Sequence, residues 1–193
     1  MGDFHQSGEI TTLHRFGSRD IAKLESEIKK LSRLRPIALV LPTIFSELEG
    51  TALPKILNEL KDVKYLKQII VTLGRFNKEQ FKYAKKFFSV LPQEVTLIWN
   101  DGPGMKKLYK LLDEKNVSAG ADGKGRSAWM SYGYVLASEK SKVIVLHDCD
   151  VQTYDREFLA RLCYPIVNQD LDFEFCKGYY SRITDRMHGR VTR

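Results

Sequence analysis

The chain has 193 residues, with 31 Lys+Arg against 24 Asp+Glu for a formal net charge of +7. Its 43% hydrophobic and 28% charged residues are ordinary globular proportions, which exclude a disordered tail, a collagen-like chain and a low-complexity linker. No apolar run approaches the roughly 18 residues of a membrane span. Met1 to Phe16 lack the apolar segment of a secretory signal, and Cys149, Cys163 and Cys176 fall in no disulfide or metal spacing. A soluble, cytoplasmic protein is expected.

After a polar arm, Ile21, Leu24, Ile28 and Leu31 recur at helical spacing, with Ser18 or Asp20 placed to cap the helix. Ile37 to Leu41 is a short, wholly apolar run closed by Pro42, and reads as a strand buried on both faces. Ala52, Leu53, Ile56, Leu57 and Leu60 predict the next helix, and Gln68 to Leu73 a second buried strand. A helix through Phe81, Ala84, Lys85 and Phe88 follows, then a strand from Val95 to Trp99 and a turn over residues 100–104. Met105, Leu108, Leu111 and Leu112 predict another helix, and a loop carrying Gly120, Gly123 and Gly125 leads into a helix over Ser127 to Ala137. Lys142 to Leu146 is the fourth buried strand, Asp155 to Val167 a helix, and Phe173 to Lys177 a returning strand.

Strands alternating with helices predict an α/β fold, a Rossmann-like, mostly parallel sheet with helices on both faces. No repeat or linker divides the chain. Residues 1–36 read as an arm and helix, and residues 37–193 as one domain. Ligands of such sheets bind beyond the carboxyl ends of the strands.

The fourth strand runs into Asp148, Cys149 and Asp150. Residues two apart in an extended segment face the same side, so both carboxylates can address one ligand. Paired hard oxygens suit Mg²⁺ or Mn²⁺ shared with a diphosphate. A helix-capping turn explains the spacing equally well, and a second copy, Asp170 and Asp172, reads as a solvated turn. The position of Asp148 and Asp150 at the end of the most apolar strand favours chemistry. Upstream, Gly120 to Arg126 precedes a helix, where glycines admit a phosphate and Lys124 adds charge; a flexible loop at a helix boundary remains the alternative. Lys23, Lys29, Lys30, Lys82, Lys85, Lys86, Lys106, Lys107 and Lys110 read as solvated helix faces. Arg182, Arg186, His188, Arg190 and Arg193 instead crowd together as a candidate phosphate or carboxylate site. His147 reads as structural, Cys149 as turned into the core, and Trp99, Trp129, Tyr132 and Tyr134 as packing residues.

The order of these features resembles the nucleotide-sugar half of a GT-A glycosyltransferase: Ile37 to Pro42 with Glu47 after it, Gly123 to Gly125 before a helix, and Leu146 to Val151 after a strand. More narrowly, Lys177 to Arg182 followed by Gly189 to Thr192 resembles the retaining glucosyl-3-phosphoglycerate synthases and their mannosyl relatives. The resemblance implies a metal-dependent hexosyltransferase that moves glucose from UDP-glucose to a small acidic acceptor such as 3-phosphoglycerate. Asp150 would ligate Mg²⁺ or Mn²⁺, and Asp148 would contact the ribose or the metal shell. Lys124 would touch the nucleotide, and Pro42 and Glu47 would line the base pocket. Gly189, Arg190 and Thr192 would hold the acceptor, and same-face attack is expected for want of a covalent nucleophile. Two departures stand out. Phe45, Ser46 and Glu47 replace the family's Asn-Glu-Glu, and Leu73 and Gly74 stand where the second strand usually ends in Asp. Family members also continue past this point, so a partial enzyme is expected. The alternatives are a mannosyltransferase using GDP-mannose, or a non-catalytic anion-binding module for RNA or a membrane surface. With no nucleic-acid motif, no nucleic acid partner is expected; a homodimer is compatible with the sequence.

Overall fold

The computed structural model describes residues 20–178, together with the backbone of Arg182–Ile183 and Met187–His188. The strands β1 (Ile37–Ile44), β2 (Leu66–Gly74), β3 (Val95–Trp99) and β4 (Val143–Leu146) form a sheet in the order β3-β2-β1-β4. Every pairing in that sheet is parallel. The order steps outward from β1 through β2 to β3, then reverses to place β4 on the other side. Such a reversal opens a crevice between β1 and β4 at their carboxyl ends.

A parallel sheet covered on both faces needs apolar residues at successive positions, which is why β1 opens on the continuous apolar run Ile37 to Leu41. Ile37, Leu39 and Leu41 join Ile69, Val71, Leu73, Val143 and Val145 in the larger core. Ala38 and Val40 turn the other way, meeting Ile70, Ile98 and Val135 in a smaller one. The larger core is covered by α1 (Ile21–Leu31), α3 (Ala52–Leu60), α4 (Lys78–Phe88) and α7 (Arg156–Val167). The smaller one lies under α6 (Lys124–Ser138), with Met105 of α5 (Pro103–Glu114) at its margin. Asp20 caps α1 by accepting the Ala22 N–H at 2.9 Å. Leu24 and Ile28 carry α1 into the same core as the sheet.

Several sequence expectations are corrected. The first strand does not close at Pro42 but runs on to Ile44. Pairing with β4 ends at Val40, so beyond that point β1 is flanked by β2 alone and a proline interrupts no ladder on the β4 side. Phe45 to Glu49 forms a short helix, α2, that no apolar periodicity announced. The turn after β3 is tighter than expected, with Pro103 already the first residue of α5. The expected strand at Phe173 to Lys177 is irregular. Its apolar alternation finds no buried face, and Phe175 is 65% exposed. Trp99 packs as expected, stacked on Phe81 at 4.8 Å. Trp129 and Tyr132, however, lie on the outer surface of α6, where the helix turns Met130, Ser131 and Val135 inward instead.

Candidate functional site

The period-two alternation of β4 continues past its last residue. Val143, Val145, His147 and Cys149 are buried, whereas Asp148 is half-buried and Asp150 exposed on the opposite side. Both buried neighbours act as anchors for the carboxylates. The His147 Nδ1 donates to the Asp148 carbonyl oxygen at 3.0 Å, and its ring lies beside Tyr154 at 5.0 Å. Burial lowers the His147 pKa to about 4, with the charge of Lys124 adding to the effect. The Cys149 thiol lies 3.2 Å from the Thr43 hydroxyl, and burial pushes its pKa up to about 12. A thiol so held is inert as a nucleophile.

Glu47 stands at the end of β1, on α2. Its carboxylate accepts the Ile44 N–H at 2.9 Å, closing the first turn of that short helix. Burial raises its pKa; the Ile44 hydrogen bond opposes the rise, Asp150 adds to it and Lys124 opposes it. Glu47, Asp150 and Lys124 thus lie within electrostatic reach of one another across the β1–β4 crevice.

The third wall is the amino end of α6. Gly123 caps the helix at φ 156°, a backbone conformation suited to glycine, and Lys124 is the first helical residue. The Lys124 ammonium pairs with the Asp148 carboxylate. Ser127, one turn on, donates to the Gly123 carbonyl at 3.1 Å and accepts from the Asn100 side-chain amide at 2.7 Å. Asp122 receives the Arg126 guanidinium at 2.5 Å and that of Arg75 at 3.6 Å. Arg75 has φ 63°, unusual for a residue with a side chain; Asp101 pins it by accepting the Arg75 and Phe76 N–H groups at 2.6 and 3.2 Å. A carboxylate from the β3–α5 turn therefore stands beside the end of β2, where the sequence itself lacks one.

Four of the anticipated residues converge at the crevice: Glu47, Lys124, Asp148 and Asp150. Pro42 is buried within β1, opposite Thr72 of β2. Gly189, Arg190 and Thr192 lie outside the described residues. Asp148 pairs with the Lys124 ammonium, and Glu47 feels the charges of Asp150 and Lys124; an oxygen-only donor set with excess negative charge suits a small, hard divalent cation. Among the described residues no three His, Cys, Asp or Glu side chains come close enough to hold an ion alone. Asp148 and Asp150 thus offer part of a coordination shell. Sequence reasoning passed over Asn100, Asp101, Asp122 and Ser127. Asn100 and Asp101 fall in an anonymous turn, and the partners that give them roles lie far along the chain.

No family model matches the chain. A glucosyl-3-phosphoglycerate synthase from Persephonella marina is 50% identical over all 193 residues, which cover 48% of that protein. The same-named protein of Methanococcoides burtonii is 36% identical over 195 aligned residues, 99% of this chain and 47% of its own length. Among solved structures, the glucosyl-3-phosphoglycerate synthase of Mycobacterium tuberculosis in complex with Mn²⁺, UDP-glucose and phosphoglyceric acid superposes with a TM-score of 0.51. That match has 18% identity and covers 81% of this chain and 46% of the other, so it speaks for the fold. The chain spans about half the length of the curated relatives it matches. Over its whole extent the chain is thus related in sequence to about half of the glucosyl-3-phosphoglycerate synthases, and it shares the GT-A fold.

Proposed function

We propose that this chain forms the donor-binding part of a retaining, metal-dependent glucosyltransferase that moves glucose from UDP-glucose to 3-phosphoglycerate. The observation that carries this reading is the set of Asp148, Asp150 and Glu47 facing Lys124 at the switch point between β1 and β4. The relative of known structure binds Mn²⁺, UDP-glucose and phosphoglyceric acid on this fold. Asp150, with Asp148, would hold Mn²⁺ or Mg²⁺, which when bound neutralises charge on the diphosphate. Lys124 then exchanges its pairing with Asp148 for the diphosphate, and the free N–H groups opening α6 favour the same anion. Glu47 borders the base, while Pro42, buried within β1, supports that wall from behind. Gly189, Arg190 and Thr192 orient the acceptor carboxylate or phosphate. Same-face attack fits the inert Cys149, and free Cys149 and Cys163, buried in the core, fit a reducing cytoplasm.

Calorimetric titration of the chain with UDP, with and without Mn²⁺, tests the reading. UDP should bind in the presence of Mn²⁺, more tightly than GDP, and Asp150→Ala should weaken binding at least tenfold, roughly the loss that follows removal of a metal-site partner. Equal UDP affinity without metal, or in Asp150→Ala, would overturn the metal assignment. Tighter binding of GDP would transfer the donor to a guanosine sugar.

A further inference from the structure

We propose that Asn100 is a positioning residue, which acts through Ser127 to fix the Gly123–Lys124 turn and so sets where the Lys124 ammonium can reach. Asn100 follows β3 directly, and its own N–H is tied to the Leu73 carbonyl of β2 at 3.0 Å. Its side-chain amide donates to the Ser127 hydroxyl at 2.7 Å, and that hydroxyl donates onward to the Gly123 carbonyl at 3.1 Å. The relay joins the carboxyl ends of two strands to the residue immediately before Lys124.

Three features separate this arrangement from ordinary packing. Asn100 is 2% exposed, and its Oδ1 finds no hydrogen-bond partner among the described residues. An unmade hydrogen bond at a buried acceptor destabilises the fold, so an apolar residue would serve packing better. Gly123, the end point of the relay, holds a φ of 156° that glycine adopts freely and can as freely leave, so a hydrogen bond to its carbonyl narrows the choice. Among the described residues no side chain caps α6, so its first turn is held by this relay together with the Asp122–Arg126 pair and the backbone.

The role assigned to Lys124 rests on the donor-binding reading above, and two measurements keep the two apart. The first needs no nucleotide. Asn100→Ala and Ser127→Ala should speed amide hydrogen exchange of the N–H groups that close the first turn of α6, those of residues 127–131, by roughly tenfold, while amides of β1 and β2 stay protected. Ser127→Ala keeps the helix intact because alanine is the better helix former. Unchanged exchange in that turn would overturn the proposal, whatever the chain binds. The second is a double-mutant cycle on UDP affinity with Mn²⁺ present. Asn100→Ala and Lys124→Ala should each cost about three- to tenfold, and Asn100→Ala should add less than about twofold once Lys124 is gone. Full additivity would show that Asn100 acts elsewhere and would overturn the proposal. Failure of the parent to bind UDP at all would instead sink the donor-binding reading, leaving hydrogen exchange to decide the role of Asn100.

Discussion

Acid should destabilise this protein through His147. The ring is buried and held neutral, its pKa lowered from 6.5 to about 4, first by burial and then by Lys124. The unfolded chain therefore takes up a proton on this residue between about pH 6.5 and 4 while the folded chain does not. Stability from the neutral ring is complete above about pH 6.5 and falls as pH drops toward the folded value. At about 1.4 kcal/mol per pH unit, the whole loss is on the order of 3 kcal/mol. Glu47 and Glu25 work in the opposite direction, since burial raises both and the fold favours their protonated forms. Wild type alone would thus show a blurred profile, and a variant is needed to isolate the histidine. His147→Phe keeps an aromatic ring between Tyr154 and Phe158 and removes the titration. Urea unfolding from pH 7.5 to 4.5, followed by far-UV circular dichroism, should show the variant losing about 2–3 kcal/mol less than wild type over that range. Parallel profiles for the two proteins would refute the argument.

Two substitutions test the packing that supports the site. Leu39→Ala, in the middle of β1 and without solvent exposure, should cost about 3 kcal/mol in urea unfolding, because neighbours in a crowded sheet collapse little into the space; a loss under about 1 kcal/mol would contradict that packing. Gly102→Ala would set a Cβ 2.8 Å from the Trp99 ring and 3.0 Å from the Trp99 carbonyl oxygen, so it should destabilise by about 1–3 kcal/mol and disturb the stacking on Phe81. Near-ultraviolet circular dichroism of the indole reads the second effect directly, and an unchanged spectrum with unchanged stability would exclude the contact.

The sheet is legible in the sequence because its strands are buried on both faces. Ile37 to Leu41 has no polar position to confuse the period, and Ile69 to Leu73 has Thr72 alone. The pairing of Asp148 with Asp150 on one face is legible for a related reason: extended backbone alternates, and His147 and Cys149 take the core side. The amino end of α6 is hidden, since Lys124, Gly125 and Arg126 contribute nothing to an apolar period and the pattern starts at Ser127. Phe173 to Lys177 misleads in the opposite sense: local alternation suggests a strand, but a strand exists only where a neighbouring edge receives it. Residues acting through partners distant in sequence, such as Asn100 on Ser127 or Asp101 on Arg75, carry little local signature at all. Their roles come from the crossover that brings β3 beside the start of α6.

The central claim is that Asp148 and Asp150 share a divalent cation with a nucleoside diphosphate at the ends of β1 and β4. Paramagnetic Mn²⁺, titrated at substoichiometric levels into the isotope-labelled chain, tests it most directly by the amide signals it broadens. With UDP present, broadening should begin at residues 147–151 and reach Glu47 and Lys124 next; without UDP it should be weaker, because two carboxylates complete only part of a shell. Broadening that starts at the exposed turn of Asp170 and Asp172, or that ignores UDP, would contradict the account.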